Sequence, residues 1–189
     1  FKDTHMHHDE TDHKISLHTK RASEMAKDKN FDGAIAEFEK ALLFMREAGL
    51  FYSRKFTKAI PYYQKAGRYE EVEEYCTKTL IPLVKENIEN VFYDKPAVTK
   101  KFFLFGVLVN IYDKLRLCAK REKNTKDFKK YDEQVFALTT QLDDLRIKSD
   151  EAALKVEYKT LAECFGDINT NYDQWPVTLR KRYKAFHNN

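Results

Sequence analysis

Residues able to bind a metal or move a proton are concentrated at the start of the chain. His5, His7, His8 and His13 stand beside Asp9 and Asp12 in the run F-K-D-T-H-M-H-H-D-E-T-D-H. Imidazole and carboxylate ligands of this kind suit Zn, Ni or Cu. A catalytic centre also needs elements that hold its ligands in place, and this run carries no helical period. Residues 1–13 are therefore read as a flexible polar arm, with adventitious metal binding the most that His5, His7, His8 and His13 would do. Elsewhere there is no GxSxG, and the isolated glycines form no phosphate-binding loop. Adjacent acids such as Asp143-Asp144 and Glu70-Glu71 point in different directions on a helix. The chain is read as non-enzymatic, with no cofactor.

The elements that would position a site are helices. The sequence has 189 residues, enough for one domain with a substantial core. It is 42% hydrophobic and 34% charged, with five Gly and four Pro, too few for a turn-rich all-β protein. No apolar run reaches 18 residues, so no membrane span is expected. Cys76, Cys118 and Cys164 are widely spaced and odd in number, as in a protein of a reducing compartment, and a cytoplasmic location is expected. The first residue is Phe1 rather than Met, which leads us to expect a preceding segment. His5-Met6-His7-His8-Asp9 is similar to the HxHxD opening of metallo-hydrolase sites. No strand precedes it, however, and Glu10 stands where that motif's last His would be.

Apolar periodicity divides residues 14–189 into seven or eight helices of one all-α domain. The first covers about 14–27, with Ile15, His18, Ala22 and Met25 on one stripe. Asn30 and Asp32 start the second, which runs to about 48. A third covers about 50–65, with a kink or break expected at Pro61. A fourth runs from Tyr69 towards Phe92, with a bend expected at Pro82. The fifth, about 97–120, is apolar nearly all round and reads as a central strut. Phe128, Tyr131, Val135, Leu138, Leu142 and Leu145 mark a sixth, and Leu154, Tyr158, Leu161 and Phe165 a seventh. A short last helix with Leu179, Tyr183 and Phe186 is expected to cover the open end of the core.

Two of these units can be laid on each other. F-D-G-A-I-A-E-F-E-K-A-L, with Phe31, Ala34, Phe38 and Ala41, matches the segment after Gly67, with Tyr69, Val72, Cys76 and Leu80. The order of aromatic, small and apolar residues over 15–92 resembles the tetratricopeptide repeat, with Ala22 and Met25 on the leading helix. The second unit departs from that pattern at Ile60, Cys76 and Thr79, and the step from Phe31 to Tyr69 exceeds the family period of about 34 residues. The resemblance implies a tetratricopeptide-like stack of antiparallel helix pairs that binds a protein or peptide. It also implies a concave groove lined by the leading helices, placing Thr19, Ser23 and Lys27 beside Arg54, Thr57, Gln64 and Lys65. Lys27, Arg54 and Lys65 make an acidic segment the preferred guest. The stretch from Ala59 through Gly67 to Glu74 is similar to helical-repeat immunity proteins of bacterial toxin systems. That similarity implies a toxin domain as the partner.

Charge offers a second reading. The net charge is only +4, but Lys114, Arg116, Lys120, Arg121, Lys123, Lys126, Lys129 and Lys130 gather at one interhelical turn. Arg180, Lys181, Arg182 and Lys184 form a second cluster. Both could meet a phosphate backbone. Glu122 and Asp127 interrupt the first, and cations at a helix end also suit the helix dipole, so nucleic acid ranks below a protein partner.

Overall fold

The computed structural model describes residues 2–187, with side chains from residue 10 onward. Among the described residues the fold is all-α, without strands. Helix α1 (Lys2–Lys27) and helix α2 (Phe31–Glu47) form the first hairpin. Helix α1 begins at Lys2, so residues 2–13, read from the sequence as an arm, continue this helix. Its Ile15 and Ala22 interdigitate with the α2 stripe of Ala34, Phe38, Ala41 and Met45 in the main core.

Residues 53–59 are a run of turns, not the front half of a helix. Pro61 lacks the N–H of a helix interior, and its ring collides with the carbonyl four residues back, whereas the first helical turn accepts it. Helix α3 therefore starts only at Ile60 (Ile60–Lys65). The turns are nonetheless inside the protein, since Phe56, Thr57 and Ala59 are buried. Helix α4 (Tyr69–Glu74), a π-helical turn (Tyr75–Leu80) and helix α5 (Ile81–Val91) follow without interruption. The Ile81 N–H bonds to the Cys76 carbonyl five residues back. Pro82 explains the wider turn, because it can neither donate to the Lys78 carbonyl nor tolerate it at α-helical distance. The bend expected at Pro82 is absorbed as this π turn, which keeps Cys76, Leu80 and Val84 all in the core.

Helix α6 (Ala97–Arg121) and helix α7 (Thr125–Phe165) form the longest hairpin. Helix α6 lies between α3, α5 and α7, as a central strut should. The sixth and seventh helices expected from the sequence are one helix of 41 residues, about 60 Å long at 1.5 Å per residue. Ser149, which interrupts the apolar stripe, is no break. Its hydroxyl meets that of Thr99, in the first turn of α6, at 2.9 Å.

Beyond that point α7 outruns α6 and carries a second core of its own. After Gly166, the segment containing helix α8 (Val177–Arg182) folds back. Ile168, Trp175 and Tyr183 pack there against Leu154, Tyr158, Leu161 and Phe165 of α7. The last helix thus builds a separate cluster and does not cap the main core.

Candidate partner-binding surface

The helix-pair junctions share one geometry. The Asn30 N–H bonds to the Met25 carbonyl, the Arg68 N–H to that of Tyr63, and the Asn124 N–H to that of Ala119, each at 2.9 Å. This is the six-to-one bond that closes a helix through a left-handed residue. The left-handed residues are Lys29, Gly67 and Lys123. Asn30 and Asn124 then cap the following helices by accepting from the Gly33 and Asp127 N–H groups at 3.0 Å. Two of the turns even share a sequence, acid-Lys-Asn, at Asp28-Lys29-Asn30 and Glu122-Lys123-Asn124.

Side chains hold the three turns at one end of the protein. Arg68 reaches Asp32 at the start of α2 at 3.0 Å. The Lys65 ammonium lies over the Phe31 ring, 5.6 Å from its centre. Gln64 donates to Glu122 in the α6–α7 turn at 2.5 Å, and Tyr69 donates to Asp127 at 2.8 Å. Burial together with that carboxylate pushes the Tyr69 phenol up, so it stays a neutral donor. Glu71 takes Arg68 through two bonds, which with Asp32 hold the guanidinium firmly charged.

The consequence is electrostatic. Asp32 and Glu71 pair with Arg68, whereas Glu122 and Asp127 accept from neutral donors and keep their charge. Lys27, Lys29, Lys120, Arg121, Lys123 and Lys126 are exposed and have no ion pair among the described residues. Asp28, Glu70, Glu122 and Asp127 are carboxylates beside them without an ion pair among the described residues. Eight cations (those six with Lys65 and Arg68) thus stand against six carboxylates (Asp28, Asp32, Glu70, Glu71, Glu122 and Asp127) at the end bearing the three turns, a mildly basic edge.

The groove residues implied by the repeat resemblance are only partly brought together. Lys27, Gln64 and Lys65 reach the basic edge. Thr19 and Thr57 are buried, at 7% and 5% exposure, and cannot meet a partner. The Thr19 hydroxyl bonds to the Ile15 carbonyl at 2.9 Å, and Ser23 in turn bonds to the Thr19 carbonyl. Arg54 is exposed, but like Thr57 it lies in the turns before α3, so no leading-helix face carries both. The physical reason is Pro61.

The two basic clusters also have different fates. Arg116 is spent on Asp113 and Asp132, and Lys130 on Glu73. Arg180 donates to the Trp175 and Asp173 carbonyls, and Arg182 pairs with Glu157. The Arg182–Glu157 contact and the α6–α7 turn are separated by about 40 Å or more of α7, so the clusters form no single patch. Side chains of His5, His7 and His8 lie outside the described residues, and His13 is exposed. Among the described residues no group of three or more His, Cys, Asp or Glu could hold a metal ion, and no helix is long and apolar enough to cross a membrane.

No protein-family model, curated protein or solved structure matches the chain.

Proposed function

We propose that this chain is a non-catalytic, tetratricopeptide-like module that binds an acidic segment of a protein partner at the basic edge. One observation carries the reading: the exposed cations Lys27, Lys29, Lys120, Arg121, Lys123 and Lys126 of that edge have no ion pair among the described residues, and cations there outnumber carboxylates. An acidic segment supplies the missing counter-charges, and the rigid turns offer them at fixed positions, which favours specific association. A narrower form makes the partner a bacterial toxin domain and this chain its immunity protein. Buried thiols at Cys76 and Cys118 and a free, exposed Cys164 fit a reducing, cytoplasmic location.

Nucleic acid is the second reading, resting on the same lysines. The rings at this edge, Phe31 and Phe128, are half-buried and offer little stacking surface. The discriminating experiment compares a Glu/Asp-rich peptide with a single-stranded oligonucleotide of equal charge as salt is raised. Peptide binding that persists at moderate salt supports the proposal. Preference for the oligonucleotide, with a steep loss in salt, overturns it.

A further inference from the structure

Between α2 and the π-helical turn lies an open pocket of about 320 Å³ whose chemistry is opposite to that of the basic edge. Glu39, Glu71 and Glu74 line it together with the rings of Tyr63 and Tyr75. Glu71 is neutralised by Arg68 and Glu74 by Lys78. Glu39 accepts only from the neutral Tyr63 hydroxyl, at 3.2 Å, and has no ion pair among the described residues. Tyr75 is 6% exposed, and its hydroxyl finds no hydrogen-bond partner among the described residues. Burial keeps that phenol neutral. An orphaned buried hydroxyl marks a missing polar partner, and the unpaired Glu39 carboxylate in the same pocket favours a cationic donor as that partner. The Tyr63 ring lies 4.7 Å from that of Tyr75 between centres and already carries the Arg68 guanidinium, 5.0 Å from its own centre, so this corner of the fold holds a cation against an aromatic ring. Tyr75 and Lys78 of the wall belong to the π turn that Pro82 imposes, a conformation frequent at functional sites.

We propose that this pocket binds an organic cation, the ammonium of a lysine-type or the guanidinium of an arginine-type group. A metal ion is disfavoured, because the pocket's carboxylates form no group able to hold one.

The test is an NMR titration of the full chain with acetyl-Gly-Lys-Gly-amide, acetyl-Gly-Arg-Gly-amide and spermidine. The isosteric norleucine peptide is the control. Saturable shifts confined to the surroundings of Glu39, Tyr63 and Tyr75, absent with norleucine, are expected. The peptides outcompeting spermidine assigns the site to a partner's side chain, and the reverse to a free polyamine. Glu39→Gln keeps the acceptor for Tyr63, and Tyr75→Phe removes a hydroxyl that has no bond to lose, so both variants should fold. Each should weaken binding about tenfold and leave acidic-peptide binding at the basic edge unchanged. No saturable shift, or equal affinity in both variants, overturns the proposal.

Discussion

Gln64, in the last turn of α3, donates to Glu122, 58 residues away in the α6–α7 turn, at 2.5 Å. That contact does two things at once. It fixes the third turn beside the second, and it brings Lys65 of α3 to the same edge as Lys120, Arg121 and Lys123. The free positive charge of the edge thus follows from how the hairpins are tied together.

The end of α2 depends on one buried side chain from α5. Asn87 is fully buried, and its amide donates to the Met45 carbonyl at 2.7 Å and the Ala48 carbonyl at 3.3 Å. Asn87→Ala should leave these acceptors unsatisfied and cost about 2–3 kcal/mol. Urea unfolding should show it as a lower midpoint with an unchanged slope.

The second core should come apart before the first. Trp175 is the only tryptophan of the chain and lies wholly within the C-terminal cluster. Its fluorescence therefore reports that cluster, while far-UV circular dichroism reports mainly the hairpins. Tyr183 packs against Trp175 and donates to Glu157 at 2.5 Å. Tyr183→Ala should remove about 3 kcal/mol locally. The fluorescence transition should move to lower urea while the main dichroism transition stays nearly fixed, the signature of local unfolding.

Acid should loosen the first hairpin. His18 of α1 meets the Glu37 carboxylate of α2 at 2.7 Å, and Lys40 meets it at 2.6 Å. These partners hold the Glu37 carboxyl below its ordinary value of 4.5. A depressed carboxyl stabilises the fold above the unfolded value, and that contribution fades as pH falls through the folded one. Stability of the native chain should therefore drop more steeply below about pH 4.5 than that of Glu37→Gln, as measured by urea midpoints along a pH series.

Much of this fold can be read from local patterns. Asn30 and Gly67 announce the first two turns, and the stripes through Phe38 and Leu80 are buried as their spacing requires. Pro61 signals a break, but whether residues 50–59 remain helical depends on tertiary packing around Phe56. The continuity of α7 is hidden because the two apolar stripes stop at Leu145 and resume at Leu154, and the polar Ser149 between them is buried against Thr99 only once the hairpin forms. The left-handed Lys29 and Lys123 carry no glycine to betray them; the repeated acid-Lys-Asn triplet is the trace they leave. The basic edge was legible only as two unrelated lists, Lys27 with Gln64 and Lys65 in one and the 114–130 cluster in the other. Joining them requires contacts such as Gln64–Glu122 and Tyr69–Asp127, which no local spacing encodes.

The most direct measurement is the affinity of a fluorescent Glu/Asp-rich peptide for the native chain and for the triple variant Lys65→Glu, Lys120→Glu, Lys123→Glu. A control variant reverses Lys181 and Lys184, which lie in the C-terminal segment beyond the far end of α7. Recognition at the basic edge requires the triple variant to bind about tenfold more weakly or worse, a loss of about 1.4 kcal/mol. Its helical dichroism should be unchanged, and the control should bind like the native chain. Equal binding by the native chain and the triple variant, or an equal loss in the control, would contradict it.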